Sequence, residues 1–226
     1  MLEHMSYRTM LRDHAYDQYG YVTTNDAADL GVPAVELRKL AARGALTQIG
    51  YGLYRVKDVP RSSRDQFAEA VLRVGPDAFL THDAVLALHG LGLVNPTVIR
   101  VGTPHRTRAR LPRLISVIHR RLPPEDLTSY EGIPSTTVAR AIRDCRGMVM
   151  DERLRDAIRD AEKEGLVNRR EAATLRRVLN RPARPAPHRV RRAAVPARPG
   201  KPGAAHQVQR SDIGQTVRAD SASRSS

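Results

Sequence analysis

The sequence predicts an α+β protein in three parts: a winged helix-turn-helix over residues 6–58, a mixed α/β domain over 61–180, and a disordered basic tail over 181–226. Three observations carry this reading. Two short helical patterns flank Gly31-Val32-Pro33 and lead into a hairpin pivoting on Gly50-Tyr51-Gly52. Beyond Pro60, helical stripes are interrupted by β-prone runs at 97–101 and 114–119. After Asn180 the chain is mostly Arg, Pro, Ala, Gly and Ser, with too few large apolar residues to bury a core.

The first helix of the pair starts at Thr23 or Thr24, whose hydroxyl accepts from a free amide of the first turn. Ala27, Ala28 and Leu30 give it an apolar face. Gly31 suits a left-handed stop, and Pro33 fixes φ for the next helix where a missing N–H costs nothing. In that second helix Leu37, Leu40, Ala41 and Gly44 have the spacing of a buried face. Ala34, Val35, Arg38, Lys39 and Ala42 lie opposite, a small-residue surface with two cations, suited to a major groove. Residues 46–49 and 53–56 are short β-prone runs, and the glycines around Tyr51 allow a tight reversal. Helix, turn, helix and wing in that order read as a DNA-binding unit; the alternative is a helical hairpin and ribbon used only for packing.

Val59-Pro60 ends the ribbon. Ser63-Arg64-Asp65-Gln66 has the form of a capping box before a helix through Phe67, Val71 and Leu72, which Gly75-Pro76 ends. Thr81 is placed to cap the next helix, with Ala84, Val85 and Leu88 inward. Ser135-Thr136-Thr137 can cap a helix over 138–145. The charged helix 151–164 turns Leu154, Ile158 and Ala161 inward, and Asn168 with Glu171 starts the last one.

The net charge of +14 is unevenly spread. Residues 181–226 hold ten Lys or Arg against two Asp, a net +8, which leaves +6 for residues 1–180. Residues 1–59 carry seven charges of each sign, so phosphate affinity there depends on where individual cations sit. From 100 to 121 there are seven arginines and no acid: Arg100, Arg106, Arg108, Arg110, Arg113, Arg120 and Arg121. A basic face for phosphate or an acidic partner and a solvated hairpin loop both fit this stretch. A lone Cys145 supports neither a disulfide nor a thiolate metal site within the chain. The start lacks a signal peptide's apolar stretch, and no run is long enough to span a bilayer. A reducing cytoplasm is the expected compartment.

No enzyme is expected. Many nucleases need an acid two positions before a lysine to flank a metal ion, but Leu37, Arg55, Ala161 and Pro199 occupy those positions. His82 and His89 are seven apart, too far for an i, i+4 metal pair. Asp83 beside His82 has no nucleophile tied to it, and Glu152, Asp156 and Asp160 read as an ion-pairing face. No cofactor and no metal are expected.

At this point the chain resembles the AbiEi family of antitoxins, from type IV toxin–antitoxin and abortive-infection systems, over about residues 6–180. The resemblance is carried by Gly20-Tyr21-Val22-Thr23, by Leu46-Thr47-Gln48-Ile49-Gly50-Tyr51-Gly52-Leu53-Tyr54-Arg55, by Thr81-His82-Asp83-Ala84 with Leu88-His89-Gly90, and by Gly132-Ile133-Pro134-Ser135-Thr136. It implies a winged helix-turn-helix that binds inverted repeats of double-stranded DNA in its own promoter, self-associating there, and represses it. It further implies a second domain that counters a nucleotidyltransferase-like toxin. Carried onto this chain, Arg38, Lys39 and Arg43 would serve the major groove, with Tyr51 and Arg55 at or near the wing. Arg106, Arg108, Arg110, Arg113, Arg120 and Arg121 would be available to DNA or toxin. The tail is not part of the family pattern. A stand-alone regulator whose second domain senses a ligand or dimerises is the alternative, and a nuclease with an unrecognised site is the third.

Overall fold

The computed structural model describes residues 6–107 and 110–180, so the tail expected over 181–226 lies outside the described residues. It opens with a helix that sequence pattern did not announce, α1 (Tyr7–Asp17). Ser6 caps it by accepting from the Thr9 amide at 3.2 Å, and it turns Leu11 and Ala15, four apart, inward. After β1 (Tyr21–Thr23) comes α2 (Thr24–Asp29), held by a reciprocal box. Thr23 Oγ1 accepts from the Asp26 amide at 3.1 Å, and Asp26 Oδ2 accepts from the Thr23 amide at 2.7 Å. Gly31, at φ +70°, stops α2. Pro33, just outside α3 (Ala34–Ala42), starts it from extended backbone.

The strands β2 (Leu46–Gly50) and β3 (Leu53–Val56) pair antiparallel, and β1 joins on the other side of β3, giving the order β1-β3-β2. Lying in the middle with both faces covered, β3 is buried at all four positions. Val22, Tyr54 and Val56 enter a small core with Leu11, Val32, Leu37 and Leu46. Tyr21 and Leu53 instead enter a larger core made by the rest of the chain.

That larger part begins at α4 (Asp65–Val74). The capping box expected from Ser63 does not form. Asp65 Oδ1 instead accepts from the Ser62 amide and hydroxyl at 3.0 and 2.7 Å. After β4 (Phe79–Leu80), α5 (Asp83–Leu88) starts from His82 at φ 57°, so Thr81 is not its cap. The Thr81 hydroxyl meets His82 Nδ1 at 3.0 Å. A 3-10 turn, Leu91–Leu93, leads to β5 (Ile99–Thr103) and β6 (Ile115–His119). The last pair of strands is β7 (Leu127–Tyr130) and β8 (Ile133–Thr136). The five strands lie in the order β6-β5-β4-β8-β7. Strands β5 and β6 run parallel, Ile99 opposite Ile115 through Thr103 opposite His119. The connection between them therefore crosses over and is not a hairpin loop, because parallel neighbours need their chain carried back to the same end.

Three helices complete the unit: α6 (Val138–Asp144), α7 (Asp151–Lys163) and α8 (Arg169–Leu179). Thr137 caps α6, and Asn168 with Glu171 forms the box at α8, both bonds 2.9 Å. Leu154, Ile158 and Ala161 are buried as their spacing predicts. Gly92 fits against α7, where a Cβ would collide with the Arg153 carbonyl.

Candidate nucleic-acid interface

Three local devices fix the surface formed by α3 and the β2–β3 hairpin. The Thr24 amide donates to the Gly52 carbonyl at 2.9 Å, tying the hairpin's turn to the start of α2. Gly52 takes φ +63°, and a Cβ there would press on the Thr24 hydroxyl. Leu37 anchors α3 in the small core with Leu40 and Ala41 packed beside it. What α3 leaves outside is Ala34, Val35, Arg38, Lys39, Ala42 and Arg43, all exposed.

Arg38 and Arg43 have no ion-pair partner among the described residues, whereas Lys39 Nζ meets Glu36 Oε1 at 2.8 Å. That exposed pair holds weakly and leaves the ammonium reachable, since surface ion pairs are worth at most about 1 kcal/mol. Tyr51 stands fully exposed at the hairpin's tip and Lys57 is exposed just past its end. A cationic helix face beside a projecting aromatic suits a duplex, with phosphate contacts setting register and groove contacts reading bases.

Arg55 does not belong to this surface, which corrects its expected place at the wing. It is 7% exposed, and its guanidinium is spent inside the molecule. Nη1 donates to the Tyr19 carbonyl at 2.7 Å and Nη2 to the Val59 carbonyl at 3.2 Å, while Asp65 Oδ2 lies 3.2 Å away. Its neighbour Tyr21 has its hydroxyl on Glu69 at 2.9 Å, and burial beside that carboxylate raises the phenol's pKa well above its usual value.

The basic stretch also divides. Arg106, Arg110, Arg113 and Arg121 are exposed, and Arg108 lies outside the described residues. Arg120 meets Asp144 at 2.7 Å with little of its side chain exposed, and Arg100 meets Asp83 at 2.5 Å. Arg120 is therefore part of a half-buried network running through Asp144, Arg140 and Asp126, and is not a free contact.

The residues weighed for chemistry are occupied structurally. His89 stacks on Tyr130 with ring centroids 4.0 Å apart, and burial lowers its pKa. His82 is buried, and Cys145 is a buried thiol whose pKa burial pushes up. No group of three or more His, Cys, Asp or Glu that could hold a metal ion lies together among the described residues. No helix there is long and apolar enough to cross a membrane.

Residues missed by sequence reasoning lie where the first sheet meets the larger part. Glu69 bridges Tyr21 and Arg73, the latter at 2.6 Å, and Tyr19 donates to the Glu131 carbonyl at 2.8 Å. Only the helical spacing of Glu69 and Arg73 hinted at any of this.

Compared with known families, residues 10–57 match the one described as "Transcriptional regulator, AbiEi antitoxin". The match runs from within α1 to just past β3, taking in the whole surface above, and agrees with the family the sequence resembles. That family is one of regulators, not of enzymes. No curated protein matches the chain.

Proposed function

We propose, from the AbiEi antitoxin regulator match over residues 10–57, that the chain is a DNA-binding antitoxin of a type IV toxin–antitoxin system. Residues 6–58 act as a winged helix-turn-helix on inverted repeats in the protein's own promoter and repress it. Residues 61–180 counteract a nucleotidyltransferase-like toxin. The observation that carries the DNA half is the exposed face of α3, where Arg38 and Arg43, within the matched segment, have no ion-pair partner among the described residues. Arg38, Lys39 and Arg43 enter the major groove, and Tyr51 with Lys57, in place of Arg55, meets the backbone beside it. Arg106, Arg110, Arg113 and Arg121 remain for phosphate or an acidic toxin surface.

A gel shift on the DNA upstream of the gene tests the first half. Arg38→Ala with Lys39→Ala should weaken binding by about 1–3 kcal/mol per base-contacting residue and spare toxin neutralisation. Repression that survives the double change would mean that α3 is not the reader. Co-expression with the neighbouring gene tests the second half: growth restored by the chain supports it, and growth unaffected by either gene favours a stand-alone regulator.

A further inference from the structure

We propose that Val35 is a specificity-determining contact of this surface, reading the C5-methyl group of a thymine in the major groove. The inference rests on the DNA-binding reading above and adds the base chemistry that reading lacks.

Val35 is the second residue of α3 and 46% exposed. The amino-terminal residues of a recognition helix are those that meet base edges. A single exposed apolar side chain is ordinary on a protein surface, so exposure alone would say nothing; its surroundings and register do. Ala34 and Ala42 on the same surface are short, and Glu36 is turned to Lys39. No long chain on the first turn holds the helix away from the groove floor. A valine in a helix keeps one strongly preferred rotamer, so its two methyls are fixed before contact and little freedom is lost on binding.

Arg38 follows at i+3 on the same face, exposed and without an ion-pair partner among the described residues. Three helical residues advance about 4.5 Å, against about 3.4 Å between successive base pairs. The two side chains therefore address the same or adjacent base steps. The major groove offers each its match: the thymine methyl to an apolar group, and guanine N7 and O6 to a guanidinium.

Full-length protein is titrated by gel shift onto the DNA upstream of its gene, and the protected segment is mapped. Each thymine in it is then replaced in turn by uracil, which deletes only the methyl group. The expected result is a thymine beside a guanine whose replacement weakens wild-type binding about fourfold, the ratio that burying one such carbon corresponds to. Val35→Ser, a surface change that leaves the core untouched, should bind the thymine and uracil duplexes alike, at the wild-type's uracil level. If no thymine responds, or if Val35→Ser still distinguishes the two duplexes fourfold, the assignment is overturned while the protected segment upholds DNA binding. Absence of any protected segment would remove both.

Discussion

Arg55 illustrates how far a residue's charge is from its role. Sequence places it in a short β-run beside a turn, where a cation looks free to reach phosphate. The alternation that would expose one face is missing because β3 is the middle strand and both its faces are covered. Removing the side chain would leave Asp65 buried without its counter-charge, a change that typically costs about 3–5 kcal/mol. Arg55→Ala should therefore lower the unfolding free energy by that order in a denaturant titration, and a variant of unchanged stability but impaired DNA binding would restore the original assignment. Thr23, Thr137 and Asn168, by contrast, were legible as helix starts because each bonds only within its own first turn. His89 supplies a pH dependence. Its pKa in the folded chain lies below the ordinary 6.5 because burial disfavours the cation. The unfolded chain then binds more protons, so stability is held above that value and falls as pH drops through it. His89→Phe, which keeps a ring against Tyr130, should flatten the fall in stability as pH drops below about 6.5.

Elements were readable where their signal is local. The hairpin runs were nearly complete as read, and Gly31 and Gly75 end helices where expected. Helix α1 escaped because only Leu11 and Ala15 mark its inner face, and its place is set by packing on the first sheet. Strand β4 is two residues long and exists through its neighbours on either side. The direction of β6 relative to β5 escaped too, since apolar patterning does not distinguish a hairpin from a crossover. Gly92 tests the fit of the 3-10 turn on α7. With φ +61° and the Arg153 carbonyl in the space a Cβ needs, Gly92→Ala should cost at least about 1–3 kcal/mol, the usual range for overpacking. A melting temperature unchanged from wild type would show that the turn gives way freely.

Across the whole molecule, charge and core are distributed differently. The carboxy-terminal 46 residues, 181–226, hold +8 of the net +14, while the part matched as a regulator is close to neutral. Raising salt from about 50 to 200 mM should weaken DNA binding steeply, because each neutralised phosphate releases a counterion. A chain ending at Asn180 should lose affinity for random duplex more than for the operator, measured by competition with unrelated DNA. Equal losses for both would place the tail's cations in specific recognition. The sequence divides neatly at Pro60, but the apolar side chains do not, since which core a strand residue joins depends on what covers each face of its sheet.

Tyr21 and Leu53 sit in strands of the first sheet while filling the interior built by the remainder. The segment matched as a regulator is thus not a portable cassette. Grafted onto another protein, residues 6–58 would present a bare tyrosine and leucine to water, and the remnant left behind would carry a hole of matching shape. Any change to either part has to preserve that shared seam.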